Sequence, residues 1–189
     1  VDAEVVASSK IVYCEGYLWD VDVAKAAIRR AMDIGSEHGR LVSLTLSDPF
    51  CVDRHRADWL DVIADRVDVL FANRAEILSL YETDSLDDAV REVRRHVRMA
   101  CLTLSEEGSM VISGDRTVMV EPVPTTPVDT TGAGDLYASG FLFGLAQGND
   151  LEVCGRLASA AASEVISHLG ARPLIPLRRL VADVVAGVH

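Results

Sequence analysis

The residues best placed to do chemistry lie in one run, Val128-Asp129-Thr130-Thr131-Gly132-Ala133-Gly134-Asp135. Two glycines bracket an alanine just where Leu136, Gly140, Phe141, Gly144 and Leu145 begin to recur at helical spacing. With so little side chain at a helix start, backbone N–H groups can approach a ligand closely, and the helix dipole adds positive potential. Gly132, Ala133 and Gly134 can therefore form an anion hole suited to a phosphoryl group. Asp135, the next residue, projects a carboxylate beside that hole. A carboxylate there can accept the proton of an attacking hydroxyl while the hole stabilises the group in transfer. A plainer reading stays open: a glycine-rich helix start with an ordinary first-turn acid. No glycine precedes a lysine anywhere in the chain, so a P-loop is excluded.

Such a run must be held by a scaffold, and the pattern predicts an α/β one. Ile11–Trp19, Leu41–Leu46, Val67–Ala72 and Met99–Leu104 read as strands. Between them, helical spacing marks Val23–Ile34 (Asp20 as N-cap, Gly35 and Gly39 as stops), Asp53–Asp65, Asn73–Leu80 and Ser85–Val97. The alternation predicts a mostly parallel sheet of at least four strands flanked by helices. Met110–Ser113 and Thr117–Val120 flank Gly114-Asp115, an antiparallel hairpin signal. Helices are expected from Gly132 to Gln147, over Leu151–Leu169 and over Ile175–Val188. Residues 1–189 thus read as a single α/β domain. In such sheets ligands bind outside the carboxyl ends of the strands. That selects the loops Glu15–Asp20, Ser47–Asp53, Asn73–Glu76 and Ser105–Gly108, joined by Thr126–Asp135.

Composition narrows the class. The formal net charge is −11, the wrong sign for a general nucleic-acid binder. No apolar run reaches the ~18 residues a membrane helix needs. Asp2 and Glu4 stand where a signal peptide would be basic. Cys14, Cys51, Cys101 and Cys154 are far apart, with no CxxC pair, and the histidines show no HExxH spacing. A zinc site or disulfide framework is not expected; buried free thiols in a reducing cytoplasm are. The chain has no initiator Met and reads as a fragment.

Asp-Thr-Thr-Gly-Ala-Gly-Asp at 129–135, followed by Leu-Tyr-Ala-Ser-Gly-Phe, resembles the C-terminal signature of the ribokinase-like (PfkB) family of sugar and nucleoside kinases. The resemblance runs from about Ile11 to Pro176. It takes in Asn73-Arg74-Ala75-Glu76, the Thr103–Gly108 loop and Gly170-Ala171-Arg172-Pro173. Stretches around Ser47–Phe50, Leu70–Asn73 and Ser167–Gly170 are most similar to the bacterial adenosine-kinase-like branch.

By that resemblance Asp135 is the catalytic base and Gly132, Ala133 and Gly134 are the anion hole. Asn73 and Glu76 organise magnesium, water and the phosphates, through water rather than as direct ligands. The same pair also reads as a helix N-cap with its capping box. Thr103, Ser105 and Gly108 belong to the nucleotide loop, with Ser105 where many members have glycine. Asp129 and Thr131 fall where some members hold a monovalent cation, but Leu174 replaces a hydroxyl there, which argues against a potassium requirement. The cofactors implied are ATP and Mg2+, and the partners are a small-molecule acceptor and ATP. A homodimer stays open. The adenine is expected between the Ser105–Gly108 loop, the proline-rich connection and the Ala158–Ala162 face. The family's N-terminal acceptor half and lid have no counterpart here, so two functions compete: an ATP-dependent kinase, whole or in part, and a non-catalytic nucleotide-binding or dimerising remnant. A flavodoxin-like response domain fits the alternation but gives no reason for the Gly-Ala-Gly-Asp segment.

Overall fold

The computed structural model describes residues 1–185 and Gly187. The first half of the chain forms α1 (Ala3–Ser8), β1 (Ile11–Glu15), α2 (Asp22–Glu37), β2 (Leu41–Thr45), α3 (Pro49–Arg66), β3 (Val69–Asn73), α4 (Arg74–Leu80) and α5 (Leu86–His96). The second half forms β4 (Met99–Thr103), β5 (Ser109–Ser113), β6 (Arg116–Val120), α6 (Ala133–Ala146), α7 (Leu151–Ile166) and α8 (Leu177–Val185). Six strands make one sheet in the order β1-β2-β3-β4-β5-β6. β1 pairs parallel with β2 and β2 with β3, and β5 and β6 form the antiparallel hairpin. Val69–Ala72 of β3 and Met99–Leu102 of β4 are buried throughout. Strands covered on both faces lose the polar alternation of a half-exposed strand, which is why these read as unbroken apolar runs. The expected α/β class, mostly parallel sheet and hairpin are all present.

The chain contains two compact units. The first holds Val1–Leu102 with Ile112–Arg116; the second holds Thr103–Val111 and the chain from Thr117 onward. In the first unit, Trp19 and Trp59 stack with ring centroids 4.2 Å apart and both are fully buried. Lys25 and Arg29 lie over the Trp19 ring at 5.5 and 5.3 Å, adding cation–π attraction to the burial. Among the described residues no helix is long and apolar enough to cross a membrane.

Several boundaries differ from the pattern, each for a local reason. The run Ile11–Trp19 is strand only to Glu15. Gly16–Asp20 is a 3-10 turn, and it carries Trp19 inward onto Trp59. Asp20 caps nothing; Val21 holds the N-cap of α2, and Asp20 bonds Arg54 and His55 instead. Gly35 does not stop α2, because its bare face lies against Val12 and Val42. α3 starts at Pro49 rather than Asp53, with Asp48 accepting the Phe50 N–H at 2.9 Å and proline in the first turn. α1, capped by Asp2, has too short a pattern to read from sequence. α7 ends at Ile166, not Leu169. α8 runs Leu177–Val185; the expected extension to Val188 falls on Ala186 and Val188, which lie outside the described residues.

The second unit is built on the pairing of α6 with α7. α6 is apolar on most of its surface and buries Leu136, Tyr137, Ala138, Phe141 and Gly144. A Cβ at Gly140 would stand 2.5 Å from the Leu157 carbonyl oxygen and 2.8 Å from the Ala158 Cα. Both are backbone atoms of α7, so the absence of a side chain lets the helices touch. Leu136, Ala161 and Val165 form one apolar cluster, and Leu157, Ala160 and Val184 another. Alanine normally gains about 1 kcal/mol over glycine inside a helix. Gly140→Ala should instead lose roughly 1–3 kcal/mol in urea unfolding, because α7 must move. A Gly140→Ala chain as stable as wild type, or more so, would contradict this packing.

Candidate active site

The Val128–Asp135 segment is pinned from both ends within the second unit. The N–H groups of Val128 and Asp129 donate to the Ile166 carbonyl at 2.7 and 3.3 Å, tying the loop to the end of α7. Asp129 Oδ1 accepts from the Thr131 hydroxyl at 2.7 Å and the Thr131 N–H at 2.9 Å. Its Oδ2 accepts from the Gly170 N–H at 2.9 Å. The Thr131 hydroxyl, then the Gly170 and Thr131 amides, hold the Asp129 carboxyl down to about 2. Gly132 then takes φ +82°, a left-handed turn that only glycine adopts without strain. A Cβ on Gly132 would also come 2.9 Å from the Ala171 Cβ.

That turn starts α6 with no side-chain cap. Geometry leaves the first-turn amides of Gly134 and Asp135 without a helical carbonyl partner. Nothing lies within 4 Å of a Cβ built at Gly134, so the approach to these amides is open. Asp135 is the third residue of α6 and is exposed. The structure thus brings Asp129, Thr131, Gly132, Ala133, Gly134 and Asp135 into one turn. The cradle fits a phosphate: unpaired N–H groups, a positive helix end and space where a side chain would otherwise stand.

Thr103 closes β4, and Ser105–Glu107 form a 3-10 turn. The Leu104 N–H donates to the Gly108 carbonyl at 2.9 Å, and the Gly108 N–H to the Ser105 carbonyl at 3.1 Å. Ser105 takes φ +57°, the backbone a glycine would supply. The substitution at this position therefore leaves the loop's conformation glycine-like. Gly108 is buried, and a Cβ there would meet the Val120 carbonyl oxygen at 2.1 Å. The Ala158–Ala162 face does not form the expected slot: Ala158, Ala160 and Ala161 are buried in the helix core.

In the first unit Asn73 and Glu76 come together at the carboxyl end of β3. Asn73 Oδ1 accepts the Glu76 N–H at 2.8 Å, and Glu76 Oε2 accepts the Asn73 N–H at 2.8 Å. This is the capping box, completed by Asn73 Nδ2 donating to Glu76 Oε1 at 2.7 Å. Glu76 is buried. Burial, opposed by the Asn73 N–H and reinforced by Asp48 and Glu15, pushes its carboxyl up to about 7. Glu15 in turn accepts from the Ser47 hydroxyl.

Glu15, Ser47 and Asp48 were not legible as site residues. The only signal was that their loops leave the carboxyl ends of β1 and β2. Two carboxylates, Glu15 and Asp48, beside one buried acid fit a cation more readily than an anion. Folded Glu76 holds its proton above the ordinary 4.5, so its contribution to stability is complete below that pH. It is lost as pH rises through about 7. Glu76→Gln removes the ionisation and keeps the shape. Its urea stability relative to wild type should therefore climb between about pH 5 and pH 8. A difference that does not change with pH would contradict the buried charge.

Residues 1–178 match the pfkB family of carbohydrate kinases. The chain superposes with a TM-score of 0.94 on the adenosine kinase from Sinorhizobium meliloti, at 49% identity, covering 97% of this chain and 57% of that one. An uncharacterized sugar kinase of Archaeoglobus fulgidus is 38% identical over 117 residues, 62% of this chain and 47% of its own. A ribokinase-II-like protein of E. coli, solved with ATP and Mg2+, shares the fold with a TM-score of 0.88 at 18% identity, covering 99% of this chain and 62% of that one. The chain thus spans less than two thirds of each of these relatives. The signature turn, the sheet and the match over residues 1–178 lead to one assignment: the chain belongs to the pfkB family of carbohydrate kinases.

Proposed function

We propose that the chain carries the nucleotide-binding and catalytic part of a kinase. It transfers the γ-phosphoryl group of ATP to a hydroxyl of a sugar or nucleoside, with an adenosine-like acceptor favoured. One observation carries this reading: an exposed carboxylate, Asp135, stands one residue past Gly134, where open space meets first-turn amides that have no helical partner. The 49% identity to an adenosine kinase supports the acceptor class. The E. coli relative solved with ATP and Mg2+ supports the cofactors.

In this mechanism bound Mg-ATP supplies the phosphoryl group, and its metal offsets the charge that develops there. Asp135 accepts the proton of the acceptor hydroxyl at a carboxylate oxygen. Within the Gly132–Gly134 anion hole the Ala133 N–H is already bonded to the Thr130 carbonyl at 3.1 Å, so the unpaired amides of Gly134 and Asp135 hold the oxygens of the group in transfer and need no reorganisation to do so. Asp129 is a positioning residue: through Thr131 and Gly170 it fixes the turn from both sides. Asn73 and Glu76 orient water in the magnesium and phosphate network. Thr103, Ser105 and Gly108 shape the nucleotide loop. Both Asp129 oxygens are engaged by protein donors, which together with Leu174 favours a reaction without a potassium requirement. The four cysteines are buried and none forms a disulfide, which fits a reducing compartment, so we place the reaction in the cytoplasm.

The intact natural protein should phosphorylate adenosine with ATP and Mg2+, at a higher kcat/KM than ribose. Removing Mg2+ with a chelator should abolish turnover. Binding of ATP with no phosphorylation of either acceptor would overturn the kinase reading and leave a nucleotide-binding remnant.

A further inference from the structure

A further cluster of metal-ligating side chains lies within the first unit. Asp20 ends the 3-10 turn that follows β1, while Cys51 and His55 sit four residues apart on α3. The His55 Nε2 is 2.7 Å from Asp20 Oδ1. The ligand atoms of Asp20, Cys51 and His55 all lie within 4.8 Å of one another. Ligands around a tetrahedral zinc at ~2.0–2.3 Å stand roughly 3.5 Å apart, so closing the set needs side-chain shifts of only about 1 Å.

The three residues are graded in exposure. Cys51 is buried, the His55 side chain is 24% exposed and the Asp20 side chain is 48% exposed. The thiol sulfur thus forms the floor of a site that opens to solvent on the Asp20 side. That sulfur's one hydrogen bond among those described is long, 3.8 Å to the Gly16 carbonyl. His55 also departs from helical geometry, with φ −122° and ψ 22°, interrupting α3 where the ring turns toward Asp20.

We propose that Asp20, Cys51 and His55 form a binding site for a borderline-soft divalent cation of the zinc class, with a fourth position open to water. Thiolate, imidazole and carboxylate are the donor set such an ion prefers, and three protein ligands leave it an open coordination site. Binding releases the Cys51 thiol proton to solvent and leaves His55 neutral, so thiolate and carboxylate together balance the ion's two charges. The bound ion clamps the Gly16–Asp20 turn to the first half of α3.

Arg54 is the competitor. Its Nη2 lies 2.6 Å and its Nε 3.2 Å from the Asp20 oxygens. Both side chains are about half exposed, and exposed ion pairs are worth little, so the guanidinium can yield to a metal. Lys25 and Asp48 are the other charges that act on Cys51. Competition sets a sign that adventitious binding does not share. Removing Arg54 must tighten the site, whereas removing Asp20 must weaken it.

The test is a titration of the chain with Co2+, followed by displacement with Zn2+. One equivalent should produce a thiolate-to-cobalt charge-transfer band and the visible bands of tetrahedral cobalt. His55→Asn and Asp20→Asn should each weaken binding at least tenfold. Arg54→Gln should strengthen it several-fold. Cys51→Ser should remove the charge-transfer band; if that variant unfolds, the two surface variants and Arg54→Gln decide the matter alone. The proposal fails if the band survives in Cys51→Ser, if His55→Asn and Asp20→Asn bind like wild type, or if Arg54→Gln binds no tighter. It also fails if wild type takes up no Co2+ below millimolar concentration.

Discussion

The close approach of α6 to α7 is the constraint on which the Gly132–Asp135 turn depends. Gly140 and Gly144 present no side chain to α7, so Leu157 and Cys154 come against the α6 backbone. α6 is thereby fixed along its length, and its first turn has one position. The end of α7 then reaches back: Ile166 accepts from the loop, while Gly170 and Ala171 meet Asp129 and Gly132. The Gly132–Gly134 turn is held by packing, by Asp129 and by the Ala133 N–H bonded to the Thr130 carbonyl, which leaves the amides of Gly134 and Asp135 without a cap of their own. That arrangement spares them for an anion and costs nothing when charge develops.

A second principle governs the first unit, where charge rather than backbone is concentrated. Glu76 could satisfy its capping role as an exposed residue, yet it is buried beside Asp48 and Glu15. Gathering carboxylates around a desolvated acid opposes folding unless something offsets it. A divalent cation with its waters is such a partner. The capping box keeps Glu76 in place by two hydrogen bonds to the Asn73 backbone and side chain, so the strained charge is also the positioned one.

Much of this was legible in the sequence, and the division has physical reasons. Long-period signals survived: the buried strands, the hairpin around Gly114-Asp115 and the amphipathic helices follow from burial patterns that span many residues. The Gly132–Asp135 turn was legible because glycine is the only residue that fits φ +82° against Ala171. What escaped notice was set by contacts between distant segments. Asp20 reads as a cap beside a helix, but in space it faces Arg54 and His55. Ala158–Ala162 reads as a flat apolar face, but α6 and α8 cover it. Glu15 and Asp48 carry no motif, since their effect on Glu76 arises only when β1, β2 and β3 lie side by side.

The central claim is that Asp135 is the base and the neighbouring amides are the anion site, two separable roles in one turn. Asp135→Asn keeps the shape and removes the basicity. The decisive measurement pairs ATP affinity with the single-turnover rate in the intact natural protein carrying that substitution. The account predicts ATP affinity within a few-fold of wild type and a rate lowered by about 10²–10⁴. A rate near wild type would contradict the assignment, and equal losses of binding and rate would make Asp135 a structural residue instead.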